Sequence, residues 1–228
     1  MLRLLYPNFA FMSRKKWFYI LFFVILFLGF YVAATKIIPG YGKVTYPVLN
    51  NVMPFSFTDQ DGRTITNKDV AGKVYVAEYF FTTCKGICPK LNTNLKAVYE
   101  KYKNVPGFMI LSHSVDPLTD SVGRLKKYAD SLGVDSKSWI FLTGNKDSLY
   151  QAARQSYLLD DPKNNYTPID EQFIHTQFFA LVDKNGQVRK IVDGLEKDEL
   201  KQMDKAIDQL LKEDPNKHLA RSPYINPG

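Results

Sequence analysis

Hydrophobic positions fall into two regimes along this chain: one long apolar block near the start, then shorter runs whose periods alternate between those of strands and helices. Trp17 to Ala34 is an uninterrupted stretch of 18 uncharged, mostly apolar residues directly behind Arg14-Lys15-Lys16. As a helix it spans about 27 Å at about 1.5 Å per residue, close to the hydrocarbon thickness of a bilayer. The block therefore predicts an N-terminal transmembrane helix over 17–34. The cationic flank keeps residues 1–16 cytoplasmic and sends the remainder to the periplasmic or extracytoplasmic side. A cleaved signal peptide, with Val32-Ala33-Ala34 as a small-residue cleavage site, is the competing reading; the run exceeds the roughly 7 to 15 residues of a signal core. Residues 35–47 include two prolines and two glycines and read as a linker.

Beyond the linker, Val52 to Thr58 and Arg63 to Thr66 flank Asp59-Gln60-Asp61-Gly62 and predict a hairpin. Lys73 to Phe81 is nearly continuous in apolar and aromatic residues, the pattern of a strand buried on both faces. Pro89 falls where a first helical turn tolerates proline, and Leu91, Leu95 and Val98 mark the buried face of a helix reaching about Lys103. Phe108 to Val115 and Trp139 to Thr143 read as extended, Ser121 to Leu132 and Lys146 to Tyr157 as helical. Leu159 to Phe173 lacks periodicity and reads as a long surface loop. Thr176 to Asp183 and Gln187 to Val192 flank Lys184-Asn185-Gly186, a hairpin signal, and Leu200, Met203, Ile207 and Leu210 line a last helix from Glu196 to about Leu211. This alternation predicts an α/β sandwich with parallel crossovers. Strand, cysteine loop, helix, crossover strand, terminal hairpin and helix is the order of a thioredoxin-like fold, here over 48–212, with 213–228 expected as a mobile tail.

Charge changes this picture little. The formal net charge is +7, but the first 40 residues supply five cations (Arg3, Arg14, Lys15, Lys16, Lys36) and no acids, leaving 25 basic against 23 acidic residues from Tyr41 onward. A domain near +2 lacks the clustered charge that phosphate backbones require, so nucleic acid is excluded as a partner.

Cysteine changes it more. The only two cysteines, Cys84 and Cys88, sit four apart in Thr82-Thr83-Cys84-Lys85-Gly86-Ile87-Cys88-Pro89, where the apolar strand runs into the helix start. A thiolate is both a soft metal ligand and a redox nucleophile, and its pKa falls at such a junction. A purely structural disulfide closing so short a loop is worth only about 2 kcal/mol, which a domain of this size does not need. A disulfide oxidoreductase usually has a two-residue spacer between its cysteines and a cis-proline in the loop before the first hairpin strand. Here the spacer is Lys85-Gly86-Ile87, that loop ends in Ile174-His175-Thr176, and its nearest proline is Pro168. A metal site asks instead for a third ligand at that loop, and His175 supplies one. Two thiolates and one imidazole suit Cu(I), and with a further weak ligand Cu(II). A peroxidase fits this spacing less well.

Of the other histidines, His113 lies inside an apolar strand and reads as a core or strand-edge residue, and His218 in the tail as solvent-exposed. Glu78 interrupts the central strand, where an ionised carboxylate is costly unless paired. It reads either as a strand-end side chain reaching water or a lysine, or as an acid placed near the cysteines.

Tyr79 to Pro89, Ser114-Val115-Asp116-Pro117, Leu142-Thr143-Gly144, His175-Thr176 and Leu181 to Gly186 together resemble the SCO (SenC) family of copper-binding proteins, over roughly residues 48 to 212. The resemblance implies a thioredoxin-like fold and one copper ion held by Cys84, Cys88 and His175. It also implies a membrane anchor and a role in building the dinuclear copper centre of cytochrome c oxidase, whose copper-centre subunit would be the partner. Thiol-disulfide reduction of a copper acceptor, needing only Cys84 and Cys88, stays open as the alternative. Departures are Lys85-Gly86 where Pro-Asp is common, Phe80 where glycine is usual, Ile174 where an aspartate often precedes the histidine, and Thr119 in place of an arginine.

Overall fold

The computed structural model describes residues 13–37, 45–166, 168–169, 172–174 and 176–215. The chain separates into two compact units, Met1–Thr45 and Tyr46–Gly228. The first is built on helix α1, Arg14–Ile37, whose first turn carries the cationic triad. Among the described residues it is the one helix long and apolar enough to cross a membrane. Its large side chains, Trp17, Phe22, Phe27 and Phe30 among them, all stand exposed around it, an arrangement suited to lipid and costly in water.

In the second unit the chain runs β1 (Asn50–Asn51), β2 (Ser56–Asp59), β3 (Thr64–Thr66), α2 (Asn67–Val70), β4 (Val74–Phe80), α3 (Cys88–Tyr102), β5 (Phe108–Ser114), α4 (Val122–Leu132), β6 (Trp139–Thr143), α5 (Lys146–Gln151), β7 (Phe178–Val182), β8 (Gln187–Asp193) and α6 (Lys197–Lys212). The described strands form one sheet in the order β1-β8-β7-β4-β5-β6-β2-β3. β4, β5 and β6 are parallel, as the crossovers through α3 and α4 require, and the flanking pairs are antiparallel.

Strict two-residue alternation along β4 divides the core. Val74, Val76 and Phe80 face α3, α4 and α6, packing with Leu91, Leu95, Leu125, Met203 and Ile207. Tyr75, Ala77 and Tyr79 face the other way, onto Leu149, Tyr150, Ala153 and Tyr157. Every residue of β4, β5 and β6 is buried, which explains their near-continuous apolar runs. At the start of the unit, buried Arg189 donates from Nε and Nη2 to the Tyr46 carbonyl and pairs with Asp183 at 2.7 Å, tying the incoming chain to β8.

Two sequence expectations are corrected and a third is refined. The first hairpin strand begins at Ser56 rather than Val52, because Pro54 has no N–H to offer a ladder, and the Phe55 N–H instead donates to the Asn67 side chain. The helix expected over Lys146 to Tyr157 stays α-helical only to Gln151, then widens into a π-turn over Ala152–Ser156. The aperiodic stretch after it holds a 3-10 turn, Pro162–Tyr166, and is pinned from inside by buried Arg154, which pairs with Asp160 at 2.7 Å and donates to the Gln172 side chain.

Gly194, just after β8, marks a close approach. A Cβ there would meet Leu91 Cδ2 and Phe179 Cζ at 2.6 Å, atoms belonging to rigid packed residues. Gly194→Ala is therefore expected to lower stability by about 1–3 kcal/mol, read as a reduced urea midpoint with unchanged slope.

Candidate metal centre

β4 ends at Phe80, and the chain must turn within seven residues to start α3 at Cys88. Backbone bonds set that turn: Cys84 N–H donates to the Phe81 carbonyl (3.2 Å) and Leu91 N–H to the Ile87 carbonyl (3.0 Å). Pro89 lies in the first helical turn, where its missing N–H costs nothing. Cys88 is buried, Cys84 only partly, and both are free thiols.

Their protonation is asymmetric. Burial pushes the Cys84 thiol up, but hydrogen bonds from the Cys88 thiol and from the backbone of Cys88, Gly86 and Ile87 outweigh it, so Cys84 lies below the ordinary thiol range. Burial pushes Cys88 up, and so does its role as partner to Cys84 and the nearby Glu78 carboxyl. Cys84 is thus the more acidic thiol of the pair and Cys88 the one that holds its proton more tightly.

A buried carboxylate fixes the entrance to this loop. Asp120 is fully buried and accepts from Thr82 N–H (3.3 Å), from the Thr82 hydroxyl and from the Ser114 hydroxyl (2.6 Å). Arg124 Nε reaches the Thr82 oxygen from outside (2.7 Å). The sequence offers Ser114-Val115-Asp116-Pro117 as one of its marked segments, but nothing in it shows that Asp120, three residues on, grips the residue two before Cys84. Only the pairing of the β4 and β5 ends, with Val115 N–H on the Phe80 carbonyl (2.9 Å), brings the two segments together.

Glu78 corrects another expectation. It reaches neither water nor a lysine: it is buried mid-strand, accepting from Ser112, whose hydroxyl in turn accepts from Trp139 Nε1 (2.8 Å). Burial, partly offset by Ser112, pushes it up to about 7. His113 is a core histidine, stacked on Tyr79 at 4.9 Å, with Nδ1 at 3.2 Å from the Glu78 carbonyl oxygen; burial, only partly opposed by backbone hydrogen bonds, lowers it to about 4.

These two buried groups give opposed pH dependences. Glu78, raised from 4.5 to about 7, contributes stability that is complete below pH 4.5 and lost as pH rises to 7. His113, lowered from 6.5 to about 4, contributes stability present above pH 6.5 and lost as pH falls to 4. In Glu78→Gln only the second slope survives. Between pH 4.5 and 6.5 the variant's unfolding free energy is expected to gain on the wild type's by about 1.4 kcal/mol per pH unit, measured by urea unfolding across that window. Parallel profiles would contradict the assignment.

The loop preceding β7 also comes to the cysteine loop: the Phe173 ring packs edge-on against Phe81 with centroids 4.9 Å apart. His175 and His218 lie outside the described residues. Among the described residues no third His, Cys, Asp or Glu joins the cysteine pair to make a metal-holding group.

A thioredoxin-like domain presenting two reduced, hydrogen-bonded thiols on a strand-to-helix loop defines a thiol-based redox or soft-metal protein. The chain belongs to the SCO1/SenC family, whose model matches residues 46–212. It is 32% identical over 162 residues to the SCO1 protein homolog of Bacillus subtilis, covering 69% of this chain and 81% of that one. It spans about half the length of the mitochondrial SCO1 proteins of Arabidopsis thaliana and Saccharomyces cerevisiae that it matches. Among solved structures it resembles BsSco, a member of the Sco family of cytochrome c oxidase assembly proteins with a disulfide switch (29% identity, TM-score 0.62, 74% of this chain and 98% of that one). It also resembles yeast Sco1 with copper bound (26% identity, TM-score 0.53, 75% and 98%).

Proposed function

We propose that this chain is a membrane-anchored copper chaperone. Helix α1 crosses the membrane with its cationic end in the cytoplasm, and the domain stands on the extracytoplasmic side. Cys84, Cys88 and His175 take up one copper ion, Cu(I) or Cu(II), and pass it to the dinuclear copper centre of cytochrome c oxidase or to another copper acceptor. The observation that carries this reading is the pair of reduced thiols on one loop, in a chain of a family with a copper-bound member. Two sulfur donors fit a soft ion, and Cys84 offers its thiolate first. Cys88 gives up its proton as it binds, so uptake releases protons and oxidation of the pair to a disulfide removes both donors.

A second reading, thiol-disulfide reductase toward a copper acceptor, is favoured by the same asymmetry. Cys84 thiolate would attack an acceptor disulfide, forming a mixed disulfide and releasing one acceptor thiolate. Cys88, deprotonated, would then displace the second acceptor thiolate, leaving a Cys84–Cys88 disulfide and a reduced acceptor. The test is to mix copper-loaded full-length chain in detergent with the metal-free copper-centre domain of the same organism's oxidase. Transfer of copper supports the chaperone; a stable Cys84 adduct in Cys88→Ser, with no copper transfer by the wild type, supports the reductase.

A further inference from the structure

Around the cysteine loop the surface is neither polar nor neutral. Leu118 is 92% exposed, at the tip of the turn that Asp120 ties to Thr82. Ile87 is exposed at the start of α3, and Phe173 is exposed while its ring rests on Phe81. Three large apolar side chains are therefore held in water by contacts that anchor each to residues 81–88, beside a part-exposed thiol. Isolated exposed apolar residues need no explanation, but a group converging on a reactive centre marks a contact surface. Lys85 and Lys90 stand exposed in the same loop and the first turn of α3, and Arg124 reaches in from α4 to Thr82. Among the described residues no carboxylate forms an ion pair with any of the three, whereas Lys96 farther along α3 and Lys126 on α4 are both paired.

We infer that this rim, Ile87, Leu118 and Phe173 with Lys85, Lys90 and Arg124, is the docking surface for the acceptor, and that the acceptor is an acidic protein whose carboxylates surround an apolar contact at its own thiols. The inference rests on the proposed hand-over and adds the chemistry of the partner. Apolar contact supplies the short-lived adhesion, and unpaired cations select and steer an anionic surface, an effect carried mainly in the association rate and weakened by salt.

The test uses three synthetic peptides, each closed by one disulfide and sharing a central leucine, with flanks of glutamate, glutamine or lysine. The reduced full-length chain in neutral detergent attacks each through Cys84, and the rate of peptide reduction is read. The Glu-flanked peptide is expected to react at least about tenfold faster than the Lys-flanked one at low salt, the gap closing near 1 M salt, where the screening length falls to about 3 Å. Lys85→Glu with Lys90→Glu should reverse the order, and Leu118→Ser should slow the Glu-flanked peptide without changing the order. Any direct effect of Lys85 on Cys84 reactivity acts on all three peptides alike and leaves the order as the readout. Equal rates in the wild type, or an unreversed order in the double variant, would overturn the inference. So would loss of the order in anionic nanodiscs, which would assign the face to lipid, or concentration-dependent burial of Leu118, which would assign it to a second copy. Because the readout is thiol exchange, failure of the chain to take up copper counts against the proposed function and leaves the docking result standing.

Discussion

Iodoacetamide at pH 7 is expected to alkylate Cys84 of the reduced, metal-free chain at least about a hundredfold faster than Cys88. Two independent causes act in the same direction. Cys84 is part-exposed, while Cys88, the first residue of α3, is 6% exposed. The hydrogen bonds that converge on Cys84 from Cys88, Gly86 and Ile87 favour its thiolate, and burial holds Cys88 as the thiol. Only the thiolate reacts, so exposure and protonation multiply. Mass spectrometry of timed samples reads the two rates directly. Equal labelling would mean that the thiols share their proton evenly, and the ordered capture described above would then have no basis. In Cys84→Ser the remaining thiol should stay slow, whereas in Cys88→Ser the Cys84 thiol should stay within reach of the reagent.

Asp120→Ala is expected to have the largest effect of any change outside the three proposed copper ligands. It removes an acceptor that satisfies the Thr82 N–H and hydroxyl and the Ser114 hydroxyl in a fully buried position. Each buried donor left without a partner costs about 1–3 kcal/mol; Thr82 is only part-buried, so water can take up its N–H and hydroxyl, and the net loss should be about 3 kcal/mol. The consequence for the site is separate from stability. With Thr82 released, the loop carrying Cys84 loses its fixed entrance, and affinity for copper should fall about 10- to 100-fold, the range seen when supporting partners of ligands are removed. Asp120→Asn keeps one acceptor oxygen and should recover part of both losses. Urea unfolding gives the first quantity and copper competition the second; a destabilised variant that binds copper as tightly as the wild type would separate Asp120 from the site.

The elements nearest the cysteines are legible along the chain because local signals and burial agree there. β4 lies at the centre of the sheet, so its run is apolar without alternation, and Pro89 punctuates the start of α3. Trp139–Thr143 and the Asn185-Gly186 turn are read correctly for the same reason: one short segment contains its own signal. What escapes the sequence depends on distant partners. The tie from Asp120 to Thr82 joins residues 38 apart, and the β2–β6 pairing that brings Thr58 to Thr143 joins residues farther apart still. The π-turn after Gln151 arises where Ala153 and Tyr157 must both enter the core, which a uniform 3.6-residue period does not foresee. Glu78 shows the limit most clearly: its position in a buried strand marks a carboxyl needing a partner, but only the register of β4 against β5, with Glu78 opposite Ser112, names it. The two cysteines are read from spacing alone, while the lysines beside them acquire meaning only from the apolar side chains the fold gathers around them.

The central claim is that Cys84, Cys88 and His175 act together on one copper ion. Titration of the reduced full-length chain with copper, in competition with a chelator of known affinity and followed by copper-thiolate charge-transfer absorption, tests it most directly in wild type, Cys84→Ser, Cys88→Ser and His175→Ala. The account predicts one copper per chain, loss of the charge-transfer bands in either serine variant, and an affinity more than about a hundredfold weaker in His175→Ala, beyond what loss of a supporting contact gives. Equal affinity and unchanged spectra in His175→Ala and wild type would contradict it.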